Sequence, residues 1–329
     1  SLVAKACLLN LTVLLTACGG GGGENAAVTI PTTPIAINSA NAQQVSSSAL
    51  GAGTSVTSTG NNVNGIVTAV QTSTTASRKQ ESAAQAILGM IKMAPKRLGT
   101  SQTAPGVVVS RSSNCTDGGT ISGSFNDADN NGSLSTGDTL SITARNCNEA
   151  GTIMNGSISV SQVTTSAPTT IPFVTAFTFR AGNFSVRDAA TGDILTMNGT
   201  MSLKETNPGI VITLQIDAPS LNVNDNGDAI LLENFTATFT DDISSGAYTV
   251  KLSGKISSTA LGGSVTIDIN PALEGTGNND PFAGEALITG ANGASIRIIA
   301  LDAVNVRMQI DLDGDGVVDE TRDVTWAQL

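Results

Sequence analysis

The chain has 329 residues, 27 of them acidic and 16 basic, with no histidine and only 3% aromatic residues. The acidic balance lacks the basic footprint of a nucleic-acid binder, and sparse Lys and Arg supply no polybasic cluster for anionic lipid head groups. Without histidine, Ser-His-Asp and Cys-His hydrolase schemes and histidine-ligated zinc are excluded.

Lys5 is followed by "ACLLNLTVLLTA", an apolar run that ends in small residues and is too short to span a bilayer. The residues Leu15-Thr16-Ala17-Cys18 resemble the lipobox of bacterial lipoproteins. That resemblance implies that residues 1–17 are a signal peptide, that Cys18 is acylated, and that the mature chain is held on a membrane by lipid. Gly19 is not the aspartate linked to inner-membrane retention, so the resemblance further implies the outer membrane.

Residues 18–77 are dominated by Gly, Ala, Ser, Thr, Asn and Pro. Such a composition buries little apolar surface and predicts a largely flexible tether. Within it, "NSANAQQVSSSAL" offers Ser39 as a helix cap, with Ala42, Val45 and Ala49 along one face. A stronger helix is expected over 78–95, where Ala83, Ala84, Ile87, Met90, Ile91 and Ala94 recur at helical spacing until Pro95 stops them. Residues 96–113 read as a linker.

From 114 to 329 the periodicity changes to two. Ile210, Ile212, Leu214 and Ile216 alternate with Val211, Thr213, Gln215 and Asp217, and Val304, Val306, Met308 and Ile310 alternate with polar neighbours. One buried and one wet face is the antiparallel pattern. Asn-Gly pairs at 226 and 292 read as hairpin turns. The "AGN" of 181–183 shifts the apolar phase from Phe177 and Phe179 to Phe184 and Val186, as a bulge or turn would. Three fragments, "TIMNGSISV", "LTMNGTMSL" and "VKLSGKISS", repeat a glycine at 156, 199 and 254 and are read as a repeated hairpin habit. The expectation is an all-β antiparallel meander of roughly a dozen strands, as a sandwich, half-barrel or barrel, with a short N-terminal helical segment.

Cys115 and Cys147 remain once Cys7 is cleaved away and Cys18 is acylated, and in an exported chain they predict one disulfide. Closing that loop contributes ~3–4 kcal/mol by the chain-entropy estimate. Two isolated cysteines do not make a four-ligand zinc site.

Inside the disulfide loop, "DADNNGSLSTGD" places Asp127, Asp129, Asn131, Ser133 and Asp138 at positions 1, 3, 5, 7 and 12 of a calcium loop of EF-hand type. It resembles dockerin loops, which also close on aspartate, although its flanks read as strands. Near the C-terminus "DLDGDGVVDETRD" carries Asp311, Asp313, Asp315 and Asp319. This resembles the short loops of thrombospondin type 3 repeats and implies a structural Ca2+. Position 12 is Arg322, so Asp319 or Asp323 would complete the shell. A third stretch, "NVNDNGDAILLE", has Asn222, Asn224, Asn226, Gly227 and Glu233 at similar spacing but no leading acid, and reads as a turn. Asp, Asn and Gly are also the preferred turn residues, so the first loop stays open between calcium site and turn, while mutual repulsion of four aspartates favours calcium at the C-terminal one.

No nucleotide motif and no positioned acid, base or nucleophile pair is visible. The expected role is therefore non-enzymatic: a membrane-anchored structural or interaction module, adhesin-like, meeting a protein or cell-surface polymer. The alternative is a periplasmic carrier of a lipid or small hydrophobic ligand.

Overall fold

The computed structural model describes residues 28–52, 108–129, 131, 134–165, 173–277 and 279–329. The signal peptide, Cys18, the helix expected over 78–95 and Ser133 lie outside the described residues. Fifteen strands follow one another: β1 (Val108–Asn114), β2 (Thr120–Asn126), β3 (Thr139–Glu149), β4 (Thr152–Thr165), β5 (Phe173–Asp188), β6 (Ile194–Asn207), β7 (Val211–Asp225), β8 (Asp228–Asp242), β9 (Ala247–Ser258), β10 (Gly263–Ile269), β11 (Leu273–Thr276), β12 (Glu285–Thr289), β13 (Ser295–Ala300), β14 (Asn305–Asp311) and β15 (Glu320–Thr325). They form a single antiparallel sheet in chain order, except that β11 returns to pair with β9. The all-β meander is thus one sheet with β1 and β15 at its ends. Residues 108–113, expected as linker, belong to β1.

Inward residues of strands across the whole sheet join one hydrophobic cluster, with Phe179, Phe184, Phe235, Leu140, Met201 and Ile216 among its largest fully buried members. Burial on one face only follows the period-two pattern. Keeping that face across strands of up to 16 residues requires a device, because a one-residue slip turns every later side chain outward.

The device is a crease that crosses the sheet from β3 to β9. Register slips by one residue between Ala144 and Cys147 on β3, between Ala181 and Phe184 on β5, and between Glu233 and Thr236 on β8. A matching slip against β6 falls around Pro219 on β7, between Asp217 and Ser220. The extra residues Asn146, Asn183 and Asn234 all adopt positive φ, of 46°, 46° and 49°. Each bulge moves the apolar series by one position and so keeps it inside: Phe177, Phe179 and Ala181 before it, Phe184 and Val186 after it, are all buried.

The strands that face these bulges, β4, β6 and β9, carry the three recurring glycines in mid-strand; β4 has a further bulge of its own at Gln162, away from the crease. A Cβ on Gly156 would lie 2.2 Å from the carbonyl oxygen of bulged Asn183, and one on Gly199 would lie 2.2 Å from that of Ser220. Gly254 faces the Asn234–Phe235 bulge in the same way, 2.6 Å from the Phe235 Cα. The asparagine before two of these glycines completes the unit. Asn155 Oδ1 accepts the Asn146 amide at 2.7 Å, and Asn198 Oδ1 accepts the Asn183 amide at 3.2 Å. The repeated fragments are therefore parts of the crease, and the hairpin reading of them is corrected. The Asn-Gly pairs at 226–227 and 292–293 do form turns between paired strands, with positive φ at each residue.

Residues 28–52 pack on the C-terminal part of the sheet, in contrast to the flexibility that their composition suggests. Thr33 and Ile35 exchange backbone hydrogen bonds with Ser264, and the Ile35 carbonyl accepts from Ala291. A helix, α1, follows over residues 42–52. Its cap is Asn38, not Ser39: Asn38 Oδ1 accepts the amides of Ala40 and Asn41, and Asn41 Oδ1 accepts the Asn38 amide. Ser39 instead offers its carbonyl to Arg322 at 2.7 Å. Ala42, Val45 and Ala49 are buried, as their helical spacing implies.

The crease yields a direct test. Gly199→Ala places a methyl against the Ser220 carbonyl in a left-handed conformation and should lower stability by about 3 kcal/mol in urea unfolding. Gly192→Ala has positive φ but open space around it, and should cost only about 1 kcal/mol. Equal costs would show that the close approach does not matter.

Candidate metal centre

Both acidic loops are hairpin connections, but they lie at opposite ends of the sheet. The loop joining β2 to β3 sits at the end where β6 finishes, since Thr136 is bonded to Thr165 at the end of β4. The loop joining β14 to β15 sits at the other end, where Gly314 lies against Asn292 and Gly293 of the β12–β13 turn. They form two separate candidate sites.

In the first loop Asp127, Asp129 and Asp138 bring one carboxylate oxygen each within 4.8 Å of the others. Asp138 is fully buried and organises the turn: Oδ1 accepts the Ala128 amide at 2.7 Å, while Oδ2 accepts the Ser135 amide at 2.6 Å and the Ser135 hydroxyl at 3.0 Å. Asn131 enters as a donor. Its amide reaches Asp127 and Asp129 oxygens at 3.1 and 3.2 Å, and its side-chain nitrogen reaches Asp129 Oδ2 at 2.8 Å. Ser135, which the spacing argument passed over, also bonds Asp129 Oδ2 at 3.0 Å and so links two of the acids. Its signal in the sequence was its place three residues before Asp138, where the Asp138 amide closes a turn on the Ser135 carbonyl. Asp129 is exposed; the desolvation it meets from neighbouring atoms works against ionisation, but hydrogen bonds from Ser135 and Asn131 outweigh it and hold the carboxyl below its ordinary range.

The second loop likewise brings one carboxylate oxygen from each of Asp311, Asp313 and Asp315 to within 4.8 Å of the others. Ligand oxygens on opposite sides of a Ca2+ at 2.3–2.6 Å stand about 5 Å apart, so a group of this width fits one cation. Asp311 is buried, and its oxygens accept the amides of Gly314 at 2.7 Å and Gly316 at 2.8 Å. Burial pushes its pKa up, yet the amides of Gly316 and Gly314 prevail and the net shift is downward. Asp313 and Asp315 are exposed, and each accepts an amide two residues on. Asp319 is not part of this group: its Oδ2 accepts the Leu312 amide at 2.8 Å. Asp323, the other candidate to complete the shell, is engaged by Arg307 at 2.8 and 2.9 Å. Arg322 pairs with Glu320.

The third stretch is the β7–β8 hairpin. Asn224 Oδ1 accepts the Gly227 amide, Asn226 Oδ1 accepts the Ile194 amide, and Glu233 pairs with Lys255 at 2.8 Å. Cys115 and Cys147 form the expected disulfide, with Cα atoms 5.4 Å apart. It ties the β1–β2 turn to the β3 bulge, where Asn148 also exchanges backbone bonds with Asp117 and Gly118.

No protein-family model matches the chain, and neither a curated protein nor a solved structure does.

Chemically, each loop gathers three carboxylates, the oxygen donors that a hard divalent cation takes as ligands. With Kd ~1 mM, 10 mM Ca2+ should raise the melting temperature by about 3–5 °C. Asp313→Ala should remove the contribution of the second loop, while Asp319→Ala should leave the calcium-induced increment intact. A melting curve indifferent to calcium in the unaltered protein would sink the metal reading of both loops.

Proposed function

We propose that the chain is a bacterial outer-membrane or surface lipoprotein, held by acylated Cys18, whose β-domain is a non-enzymatic interaction module. The observation that supports this reading is the outward face of the sheet. One row of seven paired positions runs Ser161, Thr178, Ser202, Asp217, Thr236, Ser253 and Asp268 across β4 to β10. Another runs Thr206, Thr213, Thr240 and Thr249. Thr178 is hydrogen-bonded to Ser202, and Thr236 to Ser253, each at 3.0 Å. Short hydroxyl side chains in register present donors and acceptors at strand spacing with little rotamer freedom to lose. Such a face suits a polar polymer or a protein surface. The carrier reading asks for unfilled space under the sheet, whereas the inward positions there hold Phe179, Phe184, Phe235 and Met201, all fully buried. Calcium in the Asp311 loop would have a structural part, holding one end of the sheet together.

Two measurements test the proposal. Cys18→Ser should move the protein from the membrane to the soluble fraction, and unchanged partitioning refutes the anchor. Cross-linking on intact cells should capture a partner that Thr178→Lys/Thr236→Lys loses. Lipid extracted from the purified domain, with no captured partner, would decide for the carrier.

A further inference from the structure

The described residues include nine large hydrophobic side chains that are exposed, and six of them gather at one end of the sheet. Ile210 and Val211 lie at the β6–β7 turn, Ile243 at the β8–β9 turn, Phe282 before β12, and Leu301 and Val304 at the β13–β14 turn. Ile210 and Val304 are 59% exposed and Ile243 is 53% exposed. Scattered apolar residues on a surface need no account, but a run of them on successive turns does. These turns are joined to one another. The Ile243 amide donates to the Ile210 carbonyl at 3.0 Å, and the Gly277 amide to that of Gly246 at 2.9 Å. Trp326 then links Pro281, beside Phe282, to Val304: its indole donates to the Pro281 carbonyl and its amide to the Val304 carbonyl. The result is a continuous rim with aliphatic tips.

The rim turns carry Asp242, Asp280 and Asp302 and no Lys or Arg. That charge pattern opposes anionic surfaces and does not complement itself in a second copy.

The chain outside the described residues favours one occupant. Val28 begins the described part near Thr32 and Thr33, which bond Ser264 at the start of β10, the end away from the rim. From there to the rim, β10 spans seven residues, about 23 Å. The ten residue steps from Cys18 to Val28 reach at most ~35 Å. The tether therefore exceeds the span, and the rim can lie on the bilayer that holds the lipid.

We propose that this rim is a bilayer contact, its apolar turn tips entering the interfacial zone of a zwitterionic membrane. The assignment of the bilayer rests on the lipoprotein reading, whereas the rim itself is tested without it. The full chain carrying Cys18→Ser is mixed with phosphatidylcholine vesicles and sedimented. It should bind, and Ile210→Ser/Ile243→Ser/Val304→Ser should lower the partition coefficient by about tenfold or more, since three aliphatic side chains no longer enter the interface. Val317→Ser/Val318→Ser, at the opposite end, should leave it unchanged, and both variants should melt with the parent. Phosphatidylglycerol should weaken binding. No binding by the Cys18→Ser chain, equal binding by the rim variant, or rim-dependent self-association without vesicle binding would each overturn the proposal. The last outcome would assign the rim to a second copy of the chain. Mass measurement of acyl groups on Cys18 in membrane-extracted protein decides the anchor separately.

Discussion

A strand can bury one face only while its residues keep phase with the sheet, and in this molecule strands of 14 to 16 residues must keep phase across a bend. Everything else depends on how that is achieved. On β3, β5, β7 and β8 an extra residue is inserted, and on the intervening β4, β6 and β9 a glycine admits the displaced carbonyl or backbone. Neither half works alone. A bulge facing an ordinary residue meets a Cβ at little more than 2 Å, and a glycine facing a regular strand leaves the ladder weaker with nothing gained. The asparagines at 155 and 198 make the pairing more specific, because each accepts the amide that its neighbour's bulge has removed from the ladder. The disulfide is placed in the same logic, joining Cys147, next to bulged Asn146, to the turn that precedes β2.

Much of this was legible in the sequence, and the failures share a cause. The alternation, the pairing of Cys115 with Cys147, the turns at 226 and 292 and the phase shift at 181–183 are local patterns with local physical reasons, and each is found where it was expected. The glycines at 156 and 199 follow an asparagine, and Asn-Gly is also the strongest hairpin signal. Only the strand opposite decides between turn and crease, and one sequence does not display its partner strand. The same limit applies to residues 28–52. Small residues such as Ala42 and Ala49 bury little area alone, but they fit closely once the sheet edge supplies backbone partners for Thr33 and Ile35.

The acidic loops show a finer version of that limit. Spacing correctly drew Asp311, Asp313 and Asp315 together, because residues at i, i+2 and i+4 around a glycine turn back on one centre. It did not foresee that Asp319 would satisfy the Leu312 amide, or that Asp323, one strand position along, would face Arg307. All four aspartates accept backbone amides, so where each amide lies in the turn decides which carboxylates are drawn into one group. Burial adds to this: Asp138 sits fully enclosed with both oxygens engaged by the turn's own amides, which gives it a structural part in the first loop.

The exposed rim follows from the alternation itself. Ile210 and Val304 continue the inward series of β7 and β14, and a reading by period two assigns them to the core. Both stand one residue before their strand begins, so the parity is kept while the cover is lost. An apolar residue there gains nothing from the fold, and a polar one would serve the turn better. In an antiparallel meander alternate turns fall at the same end of the sheet, so these stray side chains lie along one edge instead of being scattered over the surface. The two ends of the sheet differ in consequence: one carries the Asp311 loop and the entry of the N-terminal segment, the other the β2–β3 aspartate loop and a continuous apolar rim.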